Sequence, residues 1–318
     1  MQFYDIFNGD ADGICALQQL RQEDPRASVL VTGVKRDVHL LQRVNAAAGD
    51  QLTVLDISFK TNAADVKRLL AGGARLSYFD HHEVGDIPQD PRLKAFIDTA
   101  PDTCTSLIVD SFLGGRQRLW AVVAAFGDNL PGPALRAAQS VGLDERDVAR
   151  LRELGECINY NAYGETVDDL HYHPADLFET VSHYGDPREF LEGEPVLEVL
   201  KNALADDIAR ATGIKPQSAA ASAAIYVLPN AAWSRRIHGF YGNQLALRHP
   251  RRAHALLVSG HGGYIVSVRA PVENPRGADA LCRRFETGGG RQAAAGINWL
   301  PEADYARFEA EFSKAFPG

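Results

Sequence analysis

The sequence predicts an α/β protein in two parts, an N-terminal parallel sheet flanked by helices and a smaller C-terminal α+β unit. Three observations predict it. Short apolar runs alternate with helical patterns from Phe3 to Asp80, which is how a parallel sheet with crossover helices is written. A chain of 318 residues exceeds what one hydrophobic core serves, roughly 250 to 300 residues. The charge also changes sign along it. Residues 216–318 hold 12 Lys/Arg and 7 Asp/Glu, a net of +5, whereas residues 1–215 hold 21 and 34, a net of −13.

In order, FYDIF reads as a strand and runs into the turn NGDADG, which opens the helical pattern ICALQQLRQ. SVLVT is a strand, Asp37–Ala47 a helix, LTVLD a strand, Asn62–Leu70 a helix and RLSYFD a strand. From Thr103 to about Tyr184 the pattern is mostly helical, with stops at Gly114–Gly115 and Pro131–Pro133. Val196–Ala211 is a helical run between GDP and KPQ and reads as a connector. The second unit follows as the strand AAIYVL, a helix near Gly242–Leu247, the strands HALLV and YIVSV, the helix Ala278–Phe285 and a glycine-rich loop. These breaks divide the chain into 1–190, a helical connector 191–217, and 218–318.

An apolar fraction of 45% and a charged fraction of 23% belong to an ordinary globular protein. No stretch reaches the roughly 18 to 20 apolar residues of a membrane helix, so no membrane association is expected. The start, MQFYDIFNGDADG, lacks the basic region of a signal peptide. Four widely spaced cysteines, Cys15, Cys104, Cys157 and Cys282, form no C-x-x-C pair and read as buried thiols in a reducing compartment. The expected location is the cytoplasm. The acidic half argues against a tight sequence-independent grip on long duplexes, which takes many phosphate contacts. It suits a division in which one domain holds cations and the other steadies a small anion.

The chemistry gathers at strand ends. Asp10 and Asp12 follow the first strand, Asp56 closes VLD, and Asp80-His81-His82 closes RLSYFD. One Asp after a strand is ordinarily a helix cap. Three strands delivering carboxylates and imidazoles to one rim is different, because crowded carboxylates repel unless a cation neutralises them. Oxygen and imidazole donors without thiolate suit Mn²⁺ or Mg²⁺ better than structural zinc.

D-x-D-G at Asp10–Gly13, the strand-end Asp56 and the triplet Asp80-His81-His82 resemble the first three motifs of the DHH phosphoesterases. This family takes in RecJ-type exonucleases, nanoRNases, cyclic-dinucleotide phosphodiesterases and family II pyrophosphatases. Asp128 in AVVAAFGDN matches a fourth motif, and TCTSLIVDSF resembles the helix between motifs three and four. WSRRIHGFYGNQLA, VSVRAP and GGGRQAAAG are similar to segments of the DHH-associated C-terminal domain. The resemblance spans nearly the whole chain. It implies a DHH domain followed by a DHH-associated domain, with the active site in the cleft between them.

The implied roles are as follows. Asp56 bridges two Mn²⁺ or Mg²⁺ ions, Asp12, His81 and Asp128 complete one site, and Asp10 serves the other. Asp80 orients its neighbours, and His82 faces the substrate phosphate. Asn8, Arg269, Gly289, Gly290 and Arg291 bind substrate. The implied activity is hydrolysis of phosphodiester bonds in short single-stranded oligonucleotides or cyclic dinucleotides by a metal-activated water. A small-phosphoester or pyrophosphate hydrolase, and a non-catalytic nucleotide-binding protein, stay open as alternatives, and so does a homodimer.

Two positions depart from the family. Where relatives carry His four residues before the first Asp, this chain has Ile6, which leaves one or two ions as the expected content. Arg291 stands where the glycine loop of relatives generally has His, and arginine binds phosphate bidentately at any relevant pH. Weaker candidates are His171-Tyr172-His173 as extra ligands or stacking groups, Trp233 as a base-stacking platform, and Arg248–His254 as a backbone-tracking segment.

Overall fold

The computed structural model describes residues 1–317, and the chain divides into two units between Asn202 and Ala203. In the first unit the elements run β1 (Phe3–Phe7), α1 (Ala11–Glu23), β2 (Val29–Val31), β3 (Gln51–Leu55), α2 (Phe59–Ala71), β4 (Arg75–Asp80) and β5 (Leu93–Ile97). Helices follow: α3 (Thr105–Phe112), α4 (Arg118–Gly127), α5 (Pro131–Ser140), α6 (Glu145–Asn161), α7 (Pro174–Ser182), α8 (Pro187–Gly193) and α9 (Val196–Thr212). The division falls inside α9.

All five strands are parallel, in the order β2-β1-β3-β4-β5. Successive residues of a strand face opposite sides of its sheet, and the core divides accordingly. Phe7, Leu55 and Phe79 pack with Ile14, Leu17 and Trp120 on one side. Their neighbours Ile6, Val54 and Tyr78 pack with Leu40, Leu41, Val66 and Leu69 on the other. A parallel sheet needs this cover on both faces.

The helix expected over Asp37–Ala47 does not form, and only a single 3₁₀ turn at Leu40–Arg43 is present. Leu40, Leu41 and Val44 are buried as their pattern requires, but the guanidinium of Arg68 donates to the carbonyls of Leu41 and Val44 at 2.9 and 3.1 Å. The Val44 carbonyl is thus satisfied from α2, and the Leu41 carbonyl from α2 and from the Val44 N–H of the turn, without a continuing helix. The strand β5 and the helix α8 were not foreseen in the sequence, and Pro131 and Pro133 open α5 as first-turn prolines.

Glycine controls the approach of α4 to α6. A Cβ on Gly155 would lie 2.1 Å from the Val123 carbonyl, and one on Gly127 would lie 2.5 Å from the Ala11 Cβ. The helices therefore meet backbone to backbone, which sets the height at which α4 ends and Asp128 begins.

The second unit contains β6 (Ser218–Ala219), β7 (Ala223–Leu228), α10 (Ala232–Arg248), β8 (Ala253–Gly260), β9 (Gly263–Arg269), α11 (Ala278–Cys282), β10 (Gly288–Gly290), β11 (Ala294–Pro301) and α12 (Tyr305–Ala315). The sheet order is β10-β11-β9-β8-β7-β6, with only β7 and β8 parallel. Leu257, Val266, Val268 and Ile297 pack against Phe285, Phe308 and Phe312 in its core. The expected helix at Gly242–Leu247 is the end of a longer one, and the helix expected to reach Phe285 stops at Cys282. The glycine-rich segment is not a loop: residues Gly288–Gly290 pair with β11. All four cysteines are buried free thiols. No helix among the described residues is long and apolar enough to cross a membrane.

Candidate metal centre

In the order β2-β1-β3-β4-β5 the chain leaves β1 towards one edge and β3 towards the other, which makes the β1/β3 boundary the switch point where ligands gather in such sheets. Because the strands are parallel, the residues after β1, β2, β3 and β4 share one rim. They are Asn8 to Asp10, Lys35, Asp56, and His81 with His82.

Asp10 caps α1, its Oδ1 accepting from the backbone N–H groups of Asp12 and Gly13 at 3.0 and 3.1 Å. Its Oδ2 accepts from Lys35 Nζ at 2.6 Å. Asp12, in the first turn of α1, caps a different helix. Its two carboxylate oxygens accept from the N–H groups of Thr105 and Ser106, each at 2.7 Å, at the start of α3. The capping position of that helix itself, Cys104, makes no side-chain cap bond.

Asp56 leaves β3 in the left-handed region, with φ of +58°. That conformation is costly for a residue with a Cβ and points to a constraint at this position. Its Oδ1 accepts from Thr105 Oγ1 at 3.1 Å and lies 3.4 Å from His81 Nε2. Asp80 Oδ2 accepts from the Phe59 N–H at 2.9 Å, and its Oδ1 meets His82 Nδ1 at 2.7 Å. Asp80 thus ties the start of α2 to the His82 ring and fixes that ring's tautomer. Asp128 ends α4, 3.8 Å from His81 Nε2 and 3.5 Å from Lys35 Nζ, and the following Asn129 is also left-handed at φ of +59°.

Two overlapping groups of potential ligands result. Asp56, His81 and His82 form one, and Asp12, His81 and Asp128 the other, with the donor atoms of each group within 4.8 Å of one another. Burial raises the Asp56 carboxyl well above its ordinary range, and repulsion from Asp10, Asp12 and Asp128 adds to this. Burial and the charge of Asp12 likewise raise Asp128 to about 6, although Lys35 works against them. Asp10 is lowered: burial opposes its charge, but Lys35 and the Gly13 N–H outweigh that. Burial also opposes a charge on His82, yet the Asp80 bond raises it. The crowding of Asp12, Asp56 and Asp128 around His81 sets carboxylates against one another, a repulsion that a divalent cation would relieve. Carboxylate and imidazole donors fit Mn²⁺ or Mg²⁺.

Not every expected residue joins this group. Asn8 is buried, its Nδ2 donating to the Lys35 carbonyl at 3.2 Å and its Oδ1 accepting from the Asp10 N–H at 3.3 Å. It shapes the loop. His171 Nε2 meets the Tyr160 hydroxyl at 3.1 Å, and His173 caps α7 through the Ala175 N–H. Trp233 is half-buried in the first turn of α10.

In the second unit, Arg269 ends β9. It donates to Asn243 Oδ1 and to Ser267 Oγ at 2.8 Å, and to the carbonyls of Val268 and Gly239, each at 3.1 Å. Its guanidinium is fixed against α10. Arg291 is exposed at the turn joining β10 to β11, next to Gly290, whose φ of +136° only glycine adopts readily. A Cβ on Gly289 would meet nothing within 4 Å, so that position is open.

Four residues of the centre went unread in the sequence: Lys35, Thr105, Ser106 and Asn159. Lys35 carried one signal, since it follows β2 and the ends of parallel strands form the rim. Thr105 and Ser106 lie within the helix that the sequence did place.

No family model matches the sequence, and no curated protein does. Solved structures do. An exonuclease RecJ bound to manganese is 16% identical with a TM-score of 0.64, over 99% of this chain and 90% of that one. The DHH domain of a member of the s1p family of ribosomal proteins is 14% identical with a TM-score of 0.62, over 98% and 86% of the two chains. A pGpG-specific phosphodiesterase, PggH, from Vibrio cholerae is 14% identical with a TM-score of 0.54, over 99% of each. The chain has the fold of these DHH proteins, and the D-x-D-G and DHH residues lie together on the rim of its parallel sheet.

Proposed function

We propose that the chain is a metal-dependent phosphoesterase that hydrolyses phosphodiester bonds in short oligonucleotides or cyclic dinucleotides. The observation that carries this reading is the convergence of Asp12, Asp56, His81 and Asp128 at the switch point of the sheet, on donors that suit Mn²⁺ or Mg²⁺. Asp12, Asp56, His81 and Asp128 would hold the divalent cation, which when bound would supply Lewis acidity to a phosphoester and lower the pKa of a water molecule.

The chain's own groups do the rest. Thr105 orients the Asp56 carboxylate, and Asp80 orients His82. The half-exposed His82 ring, with Nδ1 held, offers its other nitrogen to a phosphate oxygen or to the leaving group. In the second unit, Arg269 and Arg291 supply positive charge for a nucleotide phosphate, with the open position at Gly289 admitting it close to the backbone. Manganese in one fold relative and a dinucleotide substrate in another agree with this reading.

The test is to strip the protein of metal, restore Mn²⁺, and offer di- to pentanucleotides, cyclic dinucleotides, pyrophosphate and bis-phosphorylated nucleosides. Turnover confined to the dinucleotide and oligonucleotide substrates is expected. Turnover of pyrophosphate alone would move the substrate class, and no Mn²⁺-dependent turnover of any kind would overturn the reading.

A further inference from the structure

We propose that the Lys35 ammonium takes the place of a second divalent cation, so that this centre holds one ion beside one fixed positive side chain. The inference rests on the reading of the centre as a metal site and concerns how many ions it holds.

Asp10 belongs to neither group of potential ligands. Its oxygens are already committed, Oδ1 to the N–H groups at the start of α1 and Oδ2 to Lys35 Nζ at 2.6 Å. The same ammonium donates to Asn159 Oδ1 at 3.0 Å and lies 3.5 Å from Asp128. Three oxygens, from the cap of α1, the end of α4 and α6, therefore surround Nζ much as they would surround a small cation. Position 6 offers no ligand in compensation. Ile6 is fully buried with Leu40, Leu41 and Val54, so its side chain serves the core.

Lys35 is also placed from its backbone. Its N–H donates to the Ala162 carbonyl at 2.9 Å, and its own carbonyl accepts from Asn8 Nδ2. A divalent ion entering among Asp10, Asn159 and Asp128 would meet a fixed like charge, and the repulsion would hold it out. The lysine side chain retains 28% exposure, so a substrate phosphate at the one bound ion can still reach the ammonium.

The experiment counts ions. Metal-stripped wild-type protein is titrated with Mn²⁺ by calorimetry, and the bound ions are examined by spin resonance. One ion per chain with an uncoupled signal is expected, and two ions per chain in the wild type overturn the inference while leaving the metal reading intact. No bound ion removes the metal reading and this inference with it, so the two failures are told apart. Lys35→Ala, checked for folding by circular dichroism, is expected to gain a second, weaker ion and an exchange-broadened spectrum. A folded Lys35→Ala protein that still takes one ion means the place is closed for another reason, which overturns the inference. The wild-type count decides the matter even if that variant does not fold.

Discussion

The carboxylate of Asp12 accepts the backbone N–H of Thr105 at 2.7 Å, and so the residue proposed to hold metal is also the cap of a helix that begins far along the chain. Its second oxygen does the same for Ser106. Removing it should therefore cost stability even without metal. Charge-assisted bonds of this kind contribute about 1.5 to 3 kcal/mol each, and Asp12→Ala leaves two buried donors unsatisfied. Thermal or urea unfolding of the metal-free proteins should place the variant roughly 2 to 4 kcal/mol below wild type. Equal stabilities would mean that Cys104 or water caps the helix instead.

Asp56 should behave in the opposite way. It is pressed by Asp10, Asp12 and Asp128 and receives one hydrogen bond, from Thr105, which an amide oxygen can still accept. Asparagine also tolerates the left-handed backbone at this position. Asp56→Asn should hold or raise the melting temperature of the metal-free protein while lowering turnover at least about a hundredfold, the scale set by losing a transition-state electrostatic contact. A variant keeping more than about a tenth of wild-type turnover would refute the proposed role.

Arg291 separates binding from chemistry. It is exposed at the β10–β11 turn and is proposed as a binding group for the substrate phosphate. Arg291→Ala should lower kcat/KM about ten- to a hundredfold, as expected for one lost phosphate contact, with the Mn²⁺ content unchanged. Loss of bound Mn²⁺ in this variant would contradict that division.

His254 gives the second unit a pH signature. It is fully buried on β8, and neither ring nitrogen has a hydrogen-bond partner among the described residues. Burial, with the nearby His249 and Arg252, lowers its pKa from 6.5 to about 4. Between these values the unfolded chain takes up the proton and the folded chain does not. The contribution to stability is therefore complete above about pH 6.5 and is lost as the pH falls towards 4. His254→Leu should flatten the melting temperature over that interval. Parallel wild-type and variant curves would exclude His254 as the cause of acid destabilisation.

Most of the rim was legible because a parallel sheet sends every strand end to one side, so Asp10, Asp56 and Asp80-His81-His82 could be grouped before any coordinates. What escaped depends on partners far away in the chain. Lys35 is one basic residue in a loop, and its acceptors Asp10 and Asn159 lie 25 and 124 positions away. The false helix at Asp37–Ala47 has the same origin, since Arg68 supplies from another element the donors that a helix would have supplied itself. β5 is a short edge strand whose LKAFI lacks a clean alternation. Asn8 drew notice for its place beside D-x-D, where its amide holds the loop together.

The groups proposed to grip the cation range from Asp12 to Asp128, across two strand ends, the start of one helix and the end of another. A bound ion would therefore staple segments that have no proximity in the unfolded chain, and the unfolded chain would bind it poorly. Metal concentration then becomes a term in folding. At a free ion level a thousand times the Kd, the folded state gains about 4 kcal/mol, a large share of the 5 to 15 kcal/mol that holds an ordinary domain together. Chelation would do more than silence such a protein. It would shift the first unit, which holds all of these residues, towards unfolding.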